Sequence, residues 1–195
     1  MAGVFWRKSA SNSWRKSFFC RAVQYSFAIA VLAPLGIEMT ATPSFASTEL
    51  GQTQVSYECA ASYDFVQVSS QSTNYAAPSA GRLTEWLIGG GLHPGKVQFE
   101  VWQPRKGSKY ELVYLGKVTL LKANIVNKVK LSPSVQVKAK DVIGLRTVTE
   151  GDCSYQSDLS TDVLAHRQGT EPKVGTTYSF VEQIFFKADV AADFT

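Results

Sequence analysis

The stretch KVQFEVWQP, residues 96–104, decides the fold. Val97, Phe99 and Val101 alternate with Gln98, Glu100 and Trp102, the two-residue period of a strand that turns one face to a core. The run comes after the turn-forming GGGLHPG (89–95) and stops at Pro104, ahead of a Lys106-Gly107-Ser108 turn signal.

The same grammar extends in both directions. DFVQVSSQ (64–71), RLTEWLIG (82–89), YELVYLGKVTLL (110–121, broken at Gly116), NKVKL (127–131), SVQVKA (134–139), DVIGLRTVT (141–149) and YSFVEQIFFKADV (178–190) all read as strands. No window past residue 56 carries a helical period, and no repeat or low-complexity segment is present. About eight short strands predict an all-β fold: an antiparallel two-sheet sandwich of jelly-roll type. Lys128, Lys130 and Lys138 alternate with Val129, Leu131, Val135 and Val137, a pattern that solubilises a sheet face or blunts an edge. Residues 150–177 are polar and read as an irregular connection, either a functional loop or a cover clipped down by Cys153.

The first 46 residues belong to a different kind of segment. Five cations (Arg7, Lys8, Arg15, Lys16, Arg21) precede the apolar run FAIAVLAPLGI at 27–37, and small residues Ser44 and Ala46 come next. That order is a signal peptide with cleavage between Ala46 and Ser47, and the apolar run is too short to span a bilayer, so no stable membrane span is expected after cleavage. The expected organisation is a leader at 1–46, an N-terminal extension at 47–61, the sandwich at 62–190 and a tail at 191–195. Lys+Arg total 20 and Asp+Glu 16, but the leader holds those five cations and one acid, Glu38. The chain beyond Ala46 is therefore formally neutral, so net charge gives neither nucleic acid nor an anionic membrane support as a partner. The expected location is secreted or extracellular, with the cell envelope as the alternative.

Of three cysteines, Cys20 leaves with the leader. Cys59 and Cys153, 94 residues apart, are expected to form one disulfide in an oxidising compartment, tying the N-terminal strand to a loop after the middle of the domain.

Several pieces occur in order: Tyr75, Pro78, Gly81 and Trp86; G-x-V-x-F-x-V-W-x-P from Gly95 to Pro104; the Tyr-rich strand at 110–116; A-x-D-V-I-G-L from Ala139 to Leu145; and P-x-V-G-x-T at 172–177. Together they resemble a group of uncharacterised exported β-sandwich modules of actinobacterial type. The resemblance implies a sandwich and export, and it carries no activity. Lys140 stands where such modules typically have glycine, so a turn needing positive φ there is either strained or of another type. Such modules often continue into Asp-rich calcium repeats, which AADFT at 191–195 does not resemble, and no calcium site is inferred.

Catalytic chemistry has little to attach to. His93 and His166 have no metal-ligand spacing, no G-x-S-x-G elbow exists, and Gly89-Gly90-Gly91 lacks the helix and Lys-Ser/Thr pair of a phosphate loop. No metal or cofactor is expected. Paired carboxylates, Asp158 with Asp162 or Glu85 with Glu100, are what a glycan-acting hydrolase would need, and solvated surface acids account for them equally. Trp102, Tyr110 and Tyr155 are the candidate ligand-binding residues, because sugar rings stack on exposed aromatic faces; Trp102 reads as core if its face is covered. The leading expectation is a non-enzymatic module that binds a glycan or other envelope ligand through its loop ends. The alternative is a structural or protein-interaction domain of the cell envelope.

Overall fold

The structure, a computed structural model, describes residues 47–54, 57–92 and 94–195. The leader, Ala46 and His93 lie outside the described residues, and Ser47 is exposed where the description begins.

Among the described residues there are fifteen strands and no helix. In chain order they are β1 (Thr48–Gln52), β2 (Tyr57–Cys59), β3 (Tyr63–Ser69), β4 (Gly81–Gly89), β5 (Lys96–Pro104), β6 (Lys109–Leu115), β7 (Thr119–Leu120), β8 (Val126–Val137), β9 (Val142–Thr147), β10 (Gly151–Gln156), β11 (Val163–Gln168), β12 (Thr177–Ser179), β13 (Val181–Ile184), β14 (Phe186–Ala188) and β15 (Val190–Phe194). They form an antiparallel sandwich. A four-stranded sheet runs β1-β15-β4-β8, and a larger one runs β12-β6-β5-β9-β3-β11-β13 with β7 beside β5. A short ribbon, β14-β10-β2, completes the fold.

The alternation in 96–104 decides which faces meet. Phe99 stacks on Trp86 of the smaller sheet with ring centroids 5.4 Å apart, and Ile143 of β9 reaches Gly51 of β1. Leu50, Leu83, Ile88, Val97, Val101 and Leu145 fill the same fully buried layer. Truncating a ring such as Trp86 or Phe99 to alanine in a layer like this costs about 3–5 kcal/mol.

The larger sheet curls back on itself. β12 and β13 are separated by Phe180 alone, yet they pair with opposite ends of the sheet: Ser179 lies against Lys109 of β6, and Val181 against His166 of β11. The Phe180 amide donates to the Ser108 carbonyl at 2.9 Å, and the Ser108 hydroxyl donates to Glu182 at 2.7 Å, which joins the seam. The second face of the sheet, the one carrying Glu100 and Trp102, is thereby turned inward instead of towards water.

The structure corrects several of the sequence-based expectations. The polar stretch 150–177 contains two strands, β10 and β11, whose Asp152, Ser154 and Ala165 are buried. The single strand expected at 178–190 is four short ones, β12 to β15, because consecutive pieces pair with β6, β11, β10 and β4 in turn. The extension and the tail are strands of the sandwich: β1 pairs along its whole length with β15, from Thr48 against Phe194 to Gln52 against Val190. Cys153 sits in β10, not in a loop, and is bonded to Cys59 on the neighbouring β2 with Cα atoms 5.8 Å apart. NKVKL and SVQVKA, expected as two strands, are one, β8, in which Lys128 and Lys130 are outward and Val129, Leu131, Val135 and Val137 inward as expected, and β8 is the edge of its sheet.

Candidate functional site

Four charged side chains from four strands converge inside the curl. Asp64 on β3 is directly opposite both Arg146 on β9 and Arg167 on β11, a register that brings both guanidinium groups to one carboxylate. Arg146 Nη1 lies 2.6 Å from Asp64 Oδ1, and Arg167 Nη2 lies 2.5 Å from Oδ2. Arg146 also donates to the Gly169 carbonyl at 2.9 Å, Arg167 to the Thr170 carbonyl at 3.1 Å, and the Arg167 guanidinium lies 4.1 Å from the centre of the Tyr178 ring. Removing one partner from a buried network of this type costs about 3–5 kcal/mol, because the remaining charge has no water to turn to.

Glu100 on β5 completes the cluster and is fully buried. Its Oε2 accepts the Trp102 indole N–H at 2.9 Å. Burial, reinforced by the Asp64 charge, holds its carboxyl well above the usual glutamate range. Asp64 is also raised, by burial that its two arginines only partly offset. The two acids oppose each other's charge, and because both arginines pair with Asp64, Glu100 is the one whose ionisation is the more disfavoured.

This arrangement redistributes the carboxylates singled out by sequence. Glu85 belongs to β4 in the smaller sheet and Glu100 to β5 in the larger, so they are not on adjacent strands. Asp158 is exposed while Asp162 is buried, accepting from the Ser157 hydroxyl and, at 3.2 Å, the Gln71 amide, with Lys187 Nζ 3.3 Å away. Burial opposes ionisation of Asp162, but these donors outweigh it and hold its carboxyl below the ordinary aspartate value.

The three aromatic candidates lie in the interior. Trp102, Tyr110 and Tyr155 are 0%, 6% and 5% exposed. Trp102 and Tyr110 meet Phe180 edge-on, with centroids 5.1 and 5.2 Å apart, beneath the seam of the curled sheet. Gly144 lies under the Trp102 indole, where a Cβ would come within 2.9 Å of Cδ1. Tyr155 has its hydroxyl pushed up to about 12, chiefly by burial. None of the three offers an open ring face: Trp102 is core, as its covered face requires, and the burial of Tyr110 and Tyr155 corrects the expectation that they are ligand contacts. His166 is half-buried and packs beside Tyr63 and Phe65.

What one end of the sandwich does display is aliphatic. Leu92, Val118, Leu120, Ile125 and Val126 are 75%, 51%, 68%, 50% and 46% exposed. The loops that carry them are tied together by backbone bonds: Gly90 N–H to Ile125 O at 2.7 Å, Asn124 N–H to Gly91 O at 3.0 Å and Leu121 N–H to Gly95 O at 3.0 Å. Asn127 closes the second loop, its side chain accepting from the Lys122 amide and donating to the Lys122 and Ile125 carbonyls. The three glycines at 89–91 owe their presence to this packing. The Gly89 and Gly91 amides donate to Asp189 and Asp152, and a Cβ at either would come within 2.8 Å of the same carboxylate groups. The sequence marks these glycines only as a turn, and the signal for the aliphatic end lies in two non-adjacent segments rich in apolar and lysine residues and free of acid.

The fold and these sites define an antiparallel β-sandwich protein with an ion cluster sealed inside its larger sheet and an aliphatic loop end. No protein-family model, curated protein or solved structure matches the chain.

Proposed function

We propose that this chain is an exported, non-catalytic sandwich module that attaches to a surface of the cell envelope through the loop end bearing Leu92, Val118, Leu120, Ile125 and Val126. The observation that carries this reading is the exposure of five aliphatic side chains on two chain segments that backbone bonds hold as one unit. Exposed apolar side chains gathered at one place mark an interaction site. The leader, with its cleavage flank at Ala46 and Ser47, supports placement outside the cytoplasm. A hydrolytic role draws no support from Glu100 and Asp64, whose carboxyls are enclosed within the sheet. A glycan platform draws none from Trp102, Tyr110 or Tyr155.

The test is co-sedimentation of purified protein with a washed envelope fraction from the producing cells. The expected result is retention of the unaltered protein and its loss in the variant Leu92→Ser/Leu120→Ser, with thermal unfolding of the two proteins the same. Equal retention of both would refute the assignment to this end of the molecule.

A further inference from the structure

We infer that the surface recognised by this loop end is an anionic lipid bilayer, bound peripherally by shallow insertion of the aliphatic tips. This rests on the surface-binding reading above and adds the chemistry of the partner. Three observations lead to it.

The first is charge. Residues 89–99 and 116–131, which supply all five exposed aliphatics, contain Lys96, Lys117, Lys122, Lys128 and Lys130 and no Asp or Glu. All five lysines are exposed. The chain beyond Ala46 is neutral overall, so the excess is local: of the acids bordering this end, Asp152 and Asp189 are buried beneath the Gly91 and Gly89 amides, Glu85 lies across from Lys130, and Glu150, whose carbonyl lies against Gly95, is exposed. Aliphatic tips within a lysine collar match a bilayer of anionic headgroups over an apolar interior, with the lysine stems lying along the boundary and their ammonium groups at phosphate level.

The second is the state of the loop backbone. A loop entering the headgroup region loses water from its amides and carbonyls, which is unfavourable unless they are already paired. Here the Gly90, Leu121, Lys122 and Asn124 amides and the Gly91, Gly95, Lys122 and Ile125 carbonyls all have partners within the loop end. The tips can therefore be dehydrated without orphaning these groups.

The third is composition. A protein-binding hot spot is typically built on Trp, Tyr and Arg, which anchor in shaped pockets. The exposed large hydrophobic side chains here are Leu, Val and Ile, and the cations are lysines, which interact as point charges on flexible stems and need no shaped partner.

Vesicle sedimentation tests the inference, using vesicles of phosphatidylcholine alone and of phosphatidylcholine with about one-third phosphatidylglycerol. The expected result is binding to the anionic vesicles at least about tenfold tighter than to the neutral ones, weakening as salt is raised. Leu92→Ser/Leu120→Ser and, separately, Lys117→Gln/Lys122→Gln/Lys128→Gln should each reduce that binding about tenfold or more, with unfolding temperature unchanged. Equal binding to both vesicle types, or variants that bind as the unaltered protein does, overturns the inference. Retention by the envelope fraction without binding to anionic vesicles also overturns it, assigning the loop end to a protein or glycan partner and leaving the surface-binding reading in place. Absence of both kinds of binding removes both.

Discussion

At the scale of single residues, Lys140 shows how a local rule and a fold constraint collide. The turn between β8 and β9 holds Lys140 at φ 73°, with its amide donating to the Ala77 carbonyl at 2.8 Å. An L-residue with a Cβ is disfavoured there by about 1–2 kcal/mol. Lys140→Gly relieves that strain but gives the unfolded chain more freedom, so a net gain of about 0.5–1 kcal/mol is expected in denaturant unfolding. The sequence carried a hint, since lysine stands where a glycine was expected, but only the observed φ distinguishes strain from a different turn. Glu100 offers a second residue-scale prediction. Glutamine at this position can still accept from Trp102, without a carboxyl whose ionisation the interior opposes. Glu100→Gln should raise stability at pH 7, read as an upward shift of the unfolding midpoint in urea. Asp64→Asn should do the opposite, lowering stability by about 3–5 kcal/mol as Arg146 and Arg167 lose their shared counter-charge.

At the scale of elements, strands were legible wherever apolar and polar residues alternate over many positions. β5 is the clearest example, matching KVQFEVWQP residue for residue, and β4 and β8 show the same pattern. What failed to show were strands whose burial does not come from their own pattern. β10, GDCSYQ, has almost no apolar alternation and is buried because it is held between β2 and β14 and linked to β2 through Cys59 and Cys153. The disulfide is thus a clamp on the least hydrophobic part of the structure. Cys59→Ser/Cys153→Ser should lose up to about 4 kcal/mol, with amide exchange accelerating first in β2 and β10. β15, VAADF, is short but sits between β1 and β4. Ending the chain at Asp189 would leave β1 without a partner and open the Leu50, Leu83 and Trp86 layer, so loss of cooperative unfolding is expected by calorimetry.

At the scale of the whole molecule, two buried acidic sites pull stability in opposite directions with pH. Glu100 and Asp64 are both raised, so their contribution is complete below the unfolded values near 4.5 and 3.8 and is lost as pH rises through the folded values. Asp162 is lowered, so its contribution is present above 3.8 and lost as pH falls through its folded value. Together these groups favour mildly acidic conditions, and the unfolding temperature should fall from about pH 5 to pH 8 by several degrees. Glu100→Gln should flatten that slope; a wild-type curve that rises over this range would contradict the raised Glu100 and Asp64 carboxyls.

The sequence by itself determined that the chain is β-structured, which residues alternate inward along the long strands, and that two cysteines were available to pair, because each of these is written within a few neighbouring positions. Only the tertiary structure decided that Asp64, Glu100, Arg146 and Arg167 meet, that Trp102 is enclosed, and that the loops of Leu92 and Ile125 form one end. Those outcomes depend on strand register and on a sheet curling until β12 and β13 share one stretch of chain, and register is set by pairings between segments far apart in sequence.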